Sequence, residues 1–156
     1  MDQKIHRSDV LKAIEIEFSK QMNVQLGFVK DDDSTIGIYT PFRADKQLLT
    51  MIKTCRIGFI MSTIAPGFVP NKEVRHLFLH IMNEINDRLV RGCFCLRDDV
   101  GLCFDTFIHC REDEDVSSVD LFSEVKYGVA AFQRYLDEIM EFVDKGTNAD
   151  EYRIQE

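Results

Sequence analysis

No stretch of this sequence approaches the roughly 20 consecutive apolar residues needed to cross a bilayer, so a membrane-spanning helix is not expected. Blocks of positive charge are also missing. Lys4, Arg7, Lys12, Lys20, Lys30 and the later basic residues are scattered, and the net charge is −8 with a pI near 5.0. Such a chain is repelled by phosphate backbones and by anionic lipid, which disfavours nucleic acid and membrane surfaces as partners. The first ten residues, Met1 to Val10, are charged and hold no apolar h-region, so no secretory signal is expected. With no such signal, the five cysteines, an odd number, are expected to be free thiols in a reducing cytoplasm.

The sequence also lacks the usual signatures of catalysis. It has no Gly-rich phosphate loop, no Gly-x-Ser-x-Gly elbow and no Walker pattern. Cys93, Cys95 and Cys103 can share one face of a hairpin, with His109 further along. Structural zinc, however, wants paired Cys-x₂₋₄-Cys knuckles, and neither is present. His76 and His80 stand four apart, but Leu-Phe-Leu lies between them and supplies no Glu as base. Asp31–Asp33 and Glu112–Asp115 lack the ligand spacing of a calcium loop. The expectation is therefore no catalytic residue, no metal and no cofactor.

What is present is a core. The chain has 156 residues, 45% of them apolar, with 12 Phe. A single domain of this length buries roughly 68–70% of its unfolded surface. No internal repeat or low-complexity segment is visible. Ser8 is a candidate cap for a first helix over Ser8–Met22, with Val10, Leu11, Ile14, Phe18 and Met22 on one face. Val24, Leu26 and Phe28 alternate at strand spacing, and a turn at Asp31–Ser34 leads to Ile36, Ile38 and Thr40. Gln47–Ala65 reads as two strands broken near Thr54–Arg56, apolar enough to suggest burial on both faces. Together these strands make an antiparallel meander.

Pro66-Gly67 and Pro70 punctuate a change to helix. Asn71 is placed to cap a second helix running to about Arg91, closed by Gly92. A hairpin follows, turning at Asp98–Gly101, with Phe94 and Leu96 on the same face as Leu102 and Phe104. Ser117 and Asp120 then mark a capping-box-like start for a long last helix, about Ser118–Lys145, closed at Gly146. The fold class is thus α+β: helix, meander, helix, hairpin, long helix. Residues 1–146 form one domain, and 147–156 are expected to be a frayed tail. Asn83 and Asn86 flank the apolar stripe of the second helix, and their amides are expected to pin neighbouring backbone.

The run Val69-Pro70, then Leu79-His80-Ile81-Met82-Asn83-Glu84-Ile85-Asn86, then Gly92-Cys93-Phe94-Cys95-Leu96 and Gly101-Leu102-Cys103-Phe104 resembles the bacterial YbjN family. That resemblance implies a fold similar to type III secretion chaperones. Those chaperones are small acidic dimers that bind extended protein segments without catalysis, and YbjN-like proteins are described as regulators or as uncharacterised. The expected function is a non-enzymatic protein-binding module whose partner is another protein or a second copy, as a homodimer. The alternative is a regulator with a small-ligand pocket between sheet and helices. Phe122, Val125, Val129, Phe132, Leu136, Ile139 and Val143 step by three and four along the last helix. A helix crossing a sheet needs only a shorter stripe. Leu136, Ile139 and Val143 are therefore expected to project toward a second chain.

Overall fold

The computed structural model describes residues 1–21, 25–28, 34–43, 46–65 and 70–153. The expectations resting on Met22, Val24, Asp31–Asp33 and Pro66-Gly67 lie outside them. The described elements are β1 (Lys4–His6), a 3-10 turn (Arg7–Asp9), α1 (Val10–Ser19), β2 (Gln25–Phe28), β3 (Thr35–Pro41), β4 (Gln47–Cys55), β5 (Gly58–Ile64), α2 (Arg75–Arg88), β6 (Cys93–Arg97), β7 (Gly101–His109), β8 (Asp115–Ser117) and α3 (Ser118–Arg153). The fold class is α+β, with the long helix last.

The meander and the hairpin join into one antiparallel sheet of six strands, ordered β2-β3-β4-β5-β7-β6. β7 is long enough to pair on both sides. It meets β5 through Ile60↔Phe107 and Ile64↔Cys103, and β6 through Phe94↔Phe104 and Leu96↔Leu102. The hairpin register is the one the alternation predicts. Because side chains alternate across a strand, this register sends Ile38, Ile52, Phe59, Met61, Phe94 and Phe104 to the face that carries the helices.

The helix boundaries differ from expectation in four places, each for a local reason. Ser8 does not cap α1. It lies in the 3-10 turn, where its backbone N–H donates to His6 Nδ1 at 3.3 Å. Asn71 does not cap α2. It starts a turn, its carbonyl accepting from Val74 N–H at 3.1 Å, and the helix proper begins at Arg75. At the far end α2 stops at Arg88 rather than Arg91, and Gly92 takes the left-handed backbone (φ 72°) that leads into β6. The last helix does not close at Gly146 but continues through it to Arg153. Gly146 serves close approach instead: a Cβ there would lie 2.8 Å from Leu77 of α2.

α3 starts as predicted, with Asp120 N–H donating to Ser117 Oγ at 3.3 Å. Asp2 completes that start. Its Oδ1 accepts from Ser117 Oγ at 2.7 Å, Ser118 Oγ at 3.3 Å and Val119 N–H at 3.4 Å. The N-terminal chain reaches this point because β1 pairs with β8, Ile5 opposite Val116. A carboxylate at a helix N-terminus is favourable, and the Ser117 hydroxyl, aided by Val119 N–H, holds the Asp2 carboxyl below its ordinary 3.8. A depressed carboxyl stabilises the fold above its ordinary value, and that contribution is lost as pH falls through the folded value. In an NMR titration the Asp2 carboxyl carbon should move below pH 3.8, with the Val119 amide shifting in step. An Asp2 midpoint at or above 3.8 would dissolve this cap.

Two apolar clusters fill the space under the helices. One joins α2 and the C-terminal part of α3 to β6 and β7. The other joins α1 and the first turns of α3 to β3, β5 and β8. Thr50 and Thr63 lie buried beside α3 and share a 3.1 Å hydroxyl contact. Gly128 lets the helix come this close: a Cβ there would fall 1.9 Å from Thr63 Oγ1.

Candidate functional site

An antiparallel sheet with helices on one face normally turns polar residues to the other. Here the second face stays largely apolar. By register it carries Tyr39 on β3, Leu49 and Met51 on β4, Ile60 and Ile64 on β5, and Cys103 and Phe107 on β7. Among the described residues no helix lies on this side. Ile60 and Phe107, directly paired, are 39% and 43% exposed, and Ile57 at the β4–β5 turn is 51% exposed. The near-continuous apolar run Gln47–Ala65 was read as burial on both faces. β5 fits that reading, buried at every position but Ile60; β4 instead alternates between buried and half-buried or exposed positions.

Charge is sparse on this face. By register it carries the cations Lys53 and Arg97 and the anion Asp105, a small excess of positive charge in a protein of net charge −8. Arg97 and Asp105 pair at 2.6 Å. At one rim β6 begins only at Cys93, opposite Asp105, so residues 106–109 of β7 have no strand partner on that side. A hollow of about 650 Å³ opens there, lined by Ile60, Arg91, Cys93, Asp105, Phe107 and Glu124. Glu124 is buried and reaches Arg91 at 3.1 Å, and Arg91 lies 4.4 Å from the centre of the Tyr127 ring.

The predicted thiol face exists. Cys93 and Cys95 point with Cys103 and Asp105 to the open side, Cys95 directly opposite Cys103. All five cysteines are free. Burial, aided by Asp105, pushes the Cys93 thiol up. Among the described residues no group of three or more His, Cys, Asp or Glu converges as a metal site requires. His76 and His80 are exposed, and His80 pairs with Glu84 at 3.2 Å. His109 stands 3.7 Å from Glu114.

The two asparagines part company. Asn86 Nδ2 donates to the Phe94 carbonyl at 2.9 Å, and its Oδ1 accepts from Phe94 N–H at 2.8 Å. One side chain thus ties α2 to the edge strand β6. Asn83 is exposed and has no part in this link, because three residues at 3.6 per turn place it about 60° further from the buried stripe. Asn86→Leu should cost about 1–3 kcal/mol by stranding both Phe94 groups. In a domain of this size that is roughly 2–4 °C of melting temperature per kcal/mol. An unchanged thermal midpoint would contradict the role.

Leu136, Ile139 and Val143 do not form a surface for a second chain. They are 5%, 0% and 5% exposed and pack in the cluster that includes Phe78, Ile81, Met82 and Ile85 of α2. The stripe is long because α3 serves two partners in turn, α1 and then α2. Of the residues nearer its start, Val125 is buried, whereas Phe122 and Val129 are half-buried and Leu121 fills the core position beside them.

A recess between α1, the sheet and α3 is lined by Phe18, Gln21, Thr50, Lys126, Val129 and Gln133. Its volume is about 270 Å³, just under the roughly 300–1,000 Å³ of small-molecule sites. No protein-family model, curated protein or solved structure matches this chain. No helix among the described residues is long and apolar enough to cross a membrane.

Proposed function

We propose that this chain is a non-enzymatic protein-binding module that pairs with a second copy of itself through the open face of its sheet. The supporting observation is the cross-strand pair Ile60 and Phe107, exposed where a solvated sheet face would carry polar side chains. An exposed apolar pair on a sheet face, here flanked by half-buried Leu49 and Met51, is a mark of an interaction surface. Self-pairing suits the charge distribution. Two chains of net charge −8 repel through most of their surfaces and least through a face with two cations and one anion.

Six strands at about 4.8 Å spacing, each about 20 Å long, give a face on the order of 500 Å². A standard interface takes about 800 Å² per partner, so the dimer is weak and concentration-dependent. The hollow beside Phe107 gives the partner a place to seat a side chain. The resemblance of the sequence motifs within residues 69–104 to the YbjN family, if it reflects kinship, implies the same kind of role. The acidic charge favours protein over nucleic acid as partner, and the free thiols suit a reducing cytoplasm.

Phe107→Asp tests the reading. Light scattering across a concentration series should show the parent chain shifting from monomer toward dimer. The variant should stay monomeric with an unchanged circular dichroism spectrum, since Phe107 is already 43% exposed in the single chain. A parent chain that stays monomeric throughout, or a variant that dimerises as before, refutes pairing through this face.

A further inference from the structure

Cys95 and Cys103 face each other across the β6–β7 ladder on the open side of the sheet. Directly opposed residues of antiparallel strands have Cα atoms about 4.5–5.5 Å apart, inside the roughly 4.4–6.8 Å range a disulfide spans without backbone movement. The other combinations fit less well. Cys93 and Cys95 are two apart on one strand, about 6.7 Å, and Cys93 lies diagonal to Cys103 at about 7–8 Å. Access differs between the opposed pair: Cys95 is half-buried, Cys103 wholly buried.

We infer that Cys95 and Cys103 form a thiol–disulfide exchange site for small-molecule disulfides of the glutathione type, with Cys95 as the entry sulfur and Cys103 as the resolving one. Access sets this division, since only Cys95 is reachable from solvent. Cys95 Sγ lies 3.4 Å from Asp105 Oδ2 and Cys103 Sγ lies 3.4 Å from the Gly101 carbonyl. When one proton leaves, the Cys95 thiol donates to Cys103. That hydrogen bond, with Arg97 nearby, pulls the Cys103 thiol below its ordinary value and pushes Cys95 up. The shared proton thus rests on the outer sulfur, and Cys95 attacks only after passing it uphill to Cys103, which makes that transfer the slow step.

Exchange balances in two steps. Cys95 sulfur attacks one sulfur of the small disulfide once its proton has passed to Cys103. A Cys95–S–S–R bond forms, the original S–S bond breaks, and one R–S⁻ leaves. Cys103 sulfur then attacks Cys95 sulfur, closing Cys95–S–S–Cys103. The second R–S⁻ departs with the Cys103 proton as R–SH. The two protein sulfurs are oxidised and the small disulfide is reduced to two thiols.

Intact-protein mass spectrometry after equilibration of the folded, reduced chain in glutathione and glutathione disulfide mixtures tests this site. The expected product lacks two hydrogens, and its peptide map joins Cys95 to Cys103 with Cys55, Cys93 and Cys110 still free to alkylate. Cys103→Ser should stop at a stable glutathione adduct on Cys95. Cys93→Ser should close the bridge at the parent rate, within twofold. Should Cys103→Ser fail to fold, Cys95→Ser serves in its place and should take up no glutathione at Cys103. A bridge joining any other pair, an adduct stable in the parent chain, or a parent chain that reacts only in denaturant overturns the inference.

Discussion

Ile139→Asp should leave no folded protein. The side chain is 0% exposed, between Leu136 and Val143, in the cluster where α3 meets α2. Removing a buried Ile side chain alone costs about 2–5 kcal/mol. A carboxyl group in its place, with no partner, adds several kcal/mol whether it stays charged or takes up a proton. Those losses together are comparable to the roughly 5–15 kcal/mol that holds a domain folded. The expected result is loss of the cooperative thermal transition and of the near-ultraviolet circular dichroism signal. Ile139→Val, which keeps the shape and loses one methylene, should cost only about 0.5–1.5 kcal/mol and fold normally. A well-folded monomeric Ile139→Asp would place the residue at a surface and return it to the role of an interface.

Arg7→Met should be the most damaging change at a position that is neither hydrophobic nor fully buried. The Arg7 guanidinium donates to three backbone carbonyls: Cys55, Cys110 and, at 3.2 Å, Arg56. Those carbonyls belong to the end of β4, the turn that follows it and the residue just after β7. One side chain thus holds the β4–β5 turn to the exit of β7 and anchors the N-terminal segment to both. It also lies over the Phe59 ring at 5.6 Å. Methionine keeps the apolar stem and deletes all the donors. Hydrogen bonds from a charged group are the stronger kind, and partly buried carbonyls left without partners add to the loss, so about 3 kcal/mol is expected. Arg7→Lys should recover only a fraction, because an ammonium cannot span three acceptors as a planar fork does. Urea unfolding followed by circular dichroism measures both. Equal midpoints for the parent and Met chains would show that water satisfies those carbonyls equally well.

The open face and the thiol pair act on different parts of the sheet. The apolar patch centres on Ile60 and Phe107 of β5 and β7, and the sulfurs lie at the β6 edge, four residues along β7. A failure of self-pairing would leave the exchange chemistry standing, and the reverse also holds. The arginine pairs near the rim, Arg97 with Asp105 and Arg91 with Glu124, border both.

The sequence by itself determined the local units. Period-two alternation found the strands of the six-stranded sheet but not the short pair β1 and β8, and the register of Phe94 with Phe104 followed from the short turn between them. Steps of three and four found the helices, and Ser117 marked the true start of α3. It also placed Cys93, Cys95 and Cys103 on one face, because a strand has only two faces to offer. Helix ends were less legible. Asn71 and Ser8 are good caps, but a turn used each one a few residues early. Gly146 looks like a stop, yet helix is kept where contact with α2 rewards it.

Only the tertiary structure decided what covers each stripe. A three-four seam on α3 is the same whether its far end meets a second chain or α2, since periodicity records that a face is buried and not what buries it. The same ambiguity concealed the exposed part of the second face: β4 and β5 are both apolar on two sides, yet β5 is buried on both except at Ile60 while β4 alternates, and among the described residues the helices lie on one side. Asp2 and Arg7 were invisible for a different reason. Each is an ordinary charged residue near the N-terminus, and its partners lie 48 to 117 residues away in the chain. Contacts of that separation leave no mark in local spacing; the return of β1 to β8 and of β7 to β5 brings them together.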